Sequence, residues 1–62
     1  MEEIGQKIRN RRTQLGINQQ TLADLAEVGI NTVVAIERGT GNPSVATLQK
    51  IIAVLGLELK LV

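Results

Sequence analysis

The segment QQTLADLAEVGINTVVAIERGTGNP, residues 19–43, leaves this chain few ways to fold. Leu22, Ala23 and Ala26 fall at i, i+1 and i+4, which predicts one narrow apolar stripe on a helix of about two turns. Asn18 stands just before it, and its side-chain oxygen can accept a bond from an orphan N–H, the role of an N-cap. After a break at residues 27–29, Val33 and Ile36 begin a second stripe able to pack on the first. Ala23 is small, so the two helices can cross closely at a steep angle. A short helix, a tight turn and a second short helix are therefore expected over residues 19–38.

The flanking sequence supplies a frame for this pair. A first helix is predicted over about residues 3–15, ending at Gly16, which suits a left-handed position past a helix end. The motif helices are expected at about 19–27 and 30–38, followed by the turn-rich connector Gly39-Thr40-Gly41-Asn42-Pro43. Ser44 then caps a fourth helix whose core face is Val45, Leu48, Ile51, Ile52 and Leu55, and Gly56 stops it. With no repeat and no linker, residues 1–62 are read as one all-α domain.

Composition narrows the function classes. The 62 residues contain no Cys, no His and no aromatic residue. A domain this short buries only about 60% of its unfolded surface, so it depends on aliphatic packing or on a partner chain. No metal site, cofactor or catalytic constellation is expected, because the carboxylates are scattered and the Gly-containing loop lacks the Lys-Ser/Thr ending of a phosphate-binding P-loop. The charged N-terminus does not read as a signal peptide, and no apolar run approaches the roughly 18 residues of a membrane span. A cytoplasmic location with no membrane partner is the expectation. Net charge is only +1, but Lys7, Arg9, Arg11 and Arg12 cluster in the first helix. They are either flanking cations for a nucleic-acid backbone or the solvated face of an amphipathic helix.

Turning the third helix by about 100° per residue places Val33, Ile36 and Ile30 on one side and Asn31, Val34, Ala35 and Arg38 on the other. The second set has the chemistry of a base-reading face. An Asn amide bonds an adenine edge bidentately, Val and Ala lie against thymine methyls, and a small Ala lets the backbone approach the base pairs. Arg38 suits a phosphate. In the connector, glycines let backbone N–H groups approach phosphate oxygens, with Thr40 and Asn42 beside them. The same residues also fit a plain helical hairpin in which Asn31 is a helix-start residue and residues 39–43 are only a loop.

Taken together, IxxxI near the start, then Arg12, GINQQTLA, the turn, TVVAIERG and NPSVATLQKIIAVLG resemble the Cro/cI phage-repressor class of helix-turn-helix domains, the Xre family, over nearly the whole chain. The resemblance implies a compact lambda-repressor-like domain of four to five helices that binds double-stranded DNA through the major groove. It places Ile30, Asn31, Val34 and Ala35 in the major groove and Gln19 at a phosphate; Thr32, Arg38, Thr40 and Asn42 are the further candidate phosphate contacts. It also implies an ion pair between Arg12 and Glu37. Two departures matter. Glu27 stands where the family usually has Gly, so either Glu27 carries a positive φ or the turn is reshaped around Gly29. Arg11 stands where an apolar residue is usual, with Leu15 a candidate to compensate from the next turn.

The last residues, LELKLV, change period. Leu57, Leu59 and Leu61 alternate with Glu58 and Lys60, the pattern of a strand with one apolar face. A strand needs a neighbour, and the same segment of a second copy would supply it, with Glu58 opposite Lys60 twice. Val54 and Ala53 on the fourth helix would extend that homodimer contact; a tail lying on its own helical core is the other reading. The ending resembles HipB-like antitoxins, which implies a dimeric repressor and a possible toxin partner. A protein-interaction module with little DNA affinity is the alternative function.

Overall fold

The computed structural model describes residues 2–57 and contains α1 (Glu2–Gln14), α2 (Gln19–Ala26), α3 (Ile30–Arg38) and α4 (Val45–Leu55). The expected strand, with Glu58, Leu59, Lys60 and Leu61, lies outside the described residues. Helix starts follow the side chains identified in the sequence. The Asn18 carboxamide oxygen accepts from the Thr21 N–H at 2.7 Å, and Ser44 Oγ accepts from the Thr47 N–H at 3.1 Å. Each satisfies a donor that the first helical turn leaves unpaired.

All four helices end alike, with a left-handed residue at Gly16, Glu27, Gly39 and Gly56. The chain then returns its next N–H to a carbonyl five residues back: Ile17 to Arg12, Val28 to Ala23, Thr40 to Ala35 and Leu57 to Ile52, at 2.9–3.3 Å. This is the Schellman arrangement, and it satisfies otherwise orphaned carbonyls. Three of the four positions are glycine. The fourth settles the alternative at the turn: Glu27 has φ 57°, whereas Gly29 is extended at φ −70°. Helix α2 thus stops at Ala26, one residue earlier than expected, because Glu27 has left the helical region.

The core is wholly aliphatic. Ile8 from α1, Leu22, Ala23 and Ala26 from α2, Val33 and Ile36 from α3, and Leu48, Ile51, Ile52 and Leu55 from α4 are buried, and among the described residues none that is buried as a whole is polar. Helix α1 packs most extensively on α3, and α2 bridges α3 and α4. Gly5 is what brings α1 in so close: a Cβ built there would run into the carbonyl oxygen of Ile36. Three expectations need correction. Val45 is not a core residue but 54% exposed, since it is the first residue of α4 and precedes the turn that meets α2. Ile30, placed with Val33 and Ile36 by periodicity, is 37% exposed for the same reason at the start of α3. Leu15 does not replace the missing apolar residue at Arg11, because it is 44% exposed beyond the end of α1. Arg11 itself lies half-buried and donates from Nε to the Leu55 carbonyl at 2.9 Å. The guanidinium stands where a favourable charge meets the negative end of α4.

Candidate nucleic-acid interface

Helix α3 is held on its inner side by Val33 and Ile36 and presents Asn31, Val34, Ala35 and Arg38 outward, of which Asn31 and Arg38 are exposed and Val34 and Ala35 half-buried. An open groove runs along each flank. One, between α3, the second half of α1 and the start of α2, is lined by Arg9, Arg12, Gln19, Val34, Glu37 and Arg38. The other, between α3 and the connector to α4, includes Asn31, Thr32, Ala35, Thr40, Asn42 and Pro43. The residues expected at bases are therefore divided, with Val34 on the first flank and Asn31 and Ala35 on the second. Gln19 and Arg38 share the first groove, and Thr32, Thr40 and Asn42 share the second.

The floor of the first groove is an ion pair. Arg12 donates from Nε to Glu37 Oε2 at 2.7 Å and from a terminal nitrogen to Oε1 at 3.0 Å, a two-pronged geometry. Its other terminal nitrogen bonds the Ile17 carbonyl at 2.9 Å, tying the α1–α2 loop to the pair. The side chains of Arg12 and Glu37 are 14% and 4% exposed, so the pairing expected from the family is present and nearly dry. Glu37's hydrogen bond raises the Arg12 guanidinium above its ordinary value, against a smaller opposing pull from burial. Stability from a raised cation is lost only as pH climbs through its folded value, beyond the arginine range. Arg12 therefore adds no pH dependence near neutrality.

Nothing in residue spacing joins Gln19 to this network. Its amide donates one hydrogen to Glu37 Oε1 at 3.2 Å, which orients the group and leaves its second hydrogen for an acceptor outside. The second groove holds a different set of donors. Thr40 is committed inward, since both its N–H (2.9 Å) and its Oγ1 (3.2 Å) bond the Ala35 carbonyl. The backbone N–H groups of Gly41 and Asn42 have no partner among the described residues. Gly41 has φ 79°, and a Cβ there would sit 3.4 Å from the Ala35 methyl, so glycine allows the connector to lie close along α3.

Two short helices joined by a tight turn, the second presenting its outer face beside this nearly dry Arg–Glu brace, define a helix-turn-helix domain. Residues 8–62 match the helix-turn-helix family, and the chain belongs to it, in its Xre-type branch. It is similar to the cryptic phage CTXphi transcriptional repressor RstR of Vibrio cholerae, with 36% identity over 86% of this chain and 48% of that protein. An uncharacterized HTH-type transcriptional regulator of Haemophilus influenzae is 43% identical over 82% of the chain and 52% of its own length. One from Methanothermobacter thermautotrophicus is 37% identical over 82% and 74%. The chain thus spans about half the length of the first two relatives. Among solved structures, the restriction-modification controller protein C.AhdI from Aeromonas hydrophila superposes with a TM-score of 0.85 at 35% identity, over 92% of this chain and 86% of that one. Among the described residues, no helix is long and apolar enough to cross a membrane.

Proposed function

We propose that this chain is a DNA-binding transcriptional regulator, a repressor that lays α3 in the major groove as a homodimer. The observation that carries the reading is the outward face of α3 with a donor-lined groove on either side. A helix in the major groove has a sugar–phosphate strand on each flank, and each groove offers hydrogen-bond donors to one. Asn31, with Ile30, Val34 and Ala35, would meet base edges. Gln19 and Arg38 would meet one strand, and Asn42 and the Gly41 N–H the other. Thr32 and Thr40 would border the second strand, Thr40 mainly by fixing the connector. The names of RstR and C.AhdI, a repressor and a controller protein, support regulation as the role.

The dimer would be made by residues 57–62, with Val54 of α4 extending the contact, so that two copies of α3 reach half-sites about 34 Å apart. Selection of bound duplexes from a random pool tests binding and spacing together. The expected result is an enriched pseudo-palindrome with half-sites one helical turn apart, and loss of roughly 1–3 kcal/mol at one base pair per half-site in Asn31→Ala. No enrichment over random DNA would remove sequence-specific recognition. A chain truncated after Gly56 should sediment as a monomer; an unchanged dimer would move the interface elsewhere.

A further inference from the structure

We propose that the groove between α1 and α3 is a seat for one backbone phosphate of duplex DNA, closed by Arg9 from α1 and Arg38 from α3. The inference rests on the DNA-binding reading but extends it to Arg9, a residue ten positions before the helix-turn-helix motif begins at Gln19. The four arginines of this chain fall into three situations. Arg11 is bonded to the Leu55 carbonyl, and Arg12 is neutralised by Glu37. Arg9 and Arg38 line the same groove, are exposed, and make no side-chain hydrogen bond or ion pair among the described residues.

The groove also contains a carboxylate, which would repel a phosphate if its charge were uncompensated. It is compensated: Glu37 Oε2 takes the Arg12 Nε bond, and Oε1 takes one bond from Arg12 and one from Gln19. The floor is therefore close to neutral, and the two guanidiniums on the walls set the sign of the site. The second hydrogen of the Gln19 amide adds a neutral donor to the same groove. Two planar cations lining one groove suit a group with several acceptor oxygens and a single negative charge. Lys7 and Lys50 are exposed cations that do not line this groove.

The test compares Arg9→Gln, Arg38→Gln, Lys7→Gln and Lys50→Gln in the full chain, on the selected duplex and on a scrambled duplex. Each Arg variant should weaken binding to both duplexes by about tenfold, the scale of one charge-assisted hydrogen bond. Melting should stay unchanged, since both side chains are exposed. The Lys variants should change affinity less than twofold. Methylphosphonate substitution, placed at one phosphate at a time, should reveal a single position at which the Arg9 and Arg38 effects both disappear. Equal binding of the two duplexes by the parent protein would sink sequence-specific reading while leaving the seat standing. Normal affinity of Arg9→Gln for both duplexes would overturn the seat, as would effects of Arg9 and Arg38 that vanish at different phosphates. A shift of the Gln19 side-chain amide resonance with inorganic phosphate, combined with normal DNA binding by Arg9→Gln, would assign the groove to a free anion and also overturn it.

Discussion

The two flanks of α3 are of similar size, about 360 and 320 Å³, yet they are built from opposite chemistry. The α1 side carries charge: Arg9 and Arg38 on the walls and a bonded Arg12–Glu37 pair beneath. On the connector side no charged residue among those described lines the groove, and it offers backbone N–H groups, Asn42 and the apolar surfaces of Ala35 and Pro43. Charge acts at a distance and weakens with salt, whereas neutral donors act only at contact. One recognition helix can thus be attracted from one side and fitted from the other.

The largest effect should come from removing the charged flank's floor. Glu37→Ala strands the Arg12 guanidinium in a nearly dry site and should cost roughly 3–5 kcal/mol, enough to unfold so small a domain in thermal or urea melts. A variant that melts like the parent would mean that the ion pair does not brace the groove. Gly5→Ala comes next. Its methyl must push α1 away from the Ile36 carbonyl, an overpacking cost of about 1–3 kcal/mol that should widen the charged groove and leave the connector side alone. Amide shifts confined to α1 and α3 would sharpen the contrast; shifts centred on residues 39–43 would break it.

Salt separates the flanks more gently. Arg38→Gln should flatten the plot of log binding constant against log salt by about one unit. Asn42→Ala should weaken binding with the slope unchanged. If Asn42→Ala also flattened the slope, the neutral description of its groove would fail. The smallest effect belongs to Glu27→Gly, remote from both grooves. It relieves a left-handed glutamate, a conformation costing roughly 1–2 kcal/mol, but adds chain entropy to the unfolded state, so a gain of about 1 kcal/mol or less is expected in a urea melt, with DNA affinity unaltered.

How much of this was readable beforehand depended on whether the information is local. Caps and core stripes are local: Asn18, Ser44, Gly16 and Gly56 perform the roles their sequence neighbourhoods suggest, and nine of ten core positions fall in helices α2 to α4 where apolar periodicity is plain. The Arg12–Glu37 pair was legible only through resemblance, since nothing in spacing joins residues 25 apart. Arg11 and Gln19 were not legible in their observed roles. A carbonyl at the end of α4 and a carboxylate on α3 become their partners only after the helices pack. Gly5 did leave a signal. A glycine inside a helix, between Ile4 and Ile8, weakens the helix unless another backbone must come near. Periodicity also misplaced Val45 and Ile30, because it assigns a face and says nothing about how far a helix extends past its neighbours.

The aliphatic core has a consequence in magnetic resonance. Each of the ten core residues, Ile8 through Leu55, carries at least one methyl group, and the protein contains no phenyl, indole, phenol or imidazole ring. No side chain can therefore generate a ring current, and the methyl resonances of the free protein should lie in a narrow band. Nucleobases would be the first aromatic rings these methyls encounter. Strong upfield displacement on adding a duplex would then mark Ile30, Val34 or Ala35 lying over a base, with the silent interior serving as its own reference.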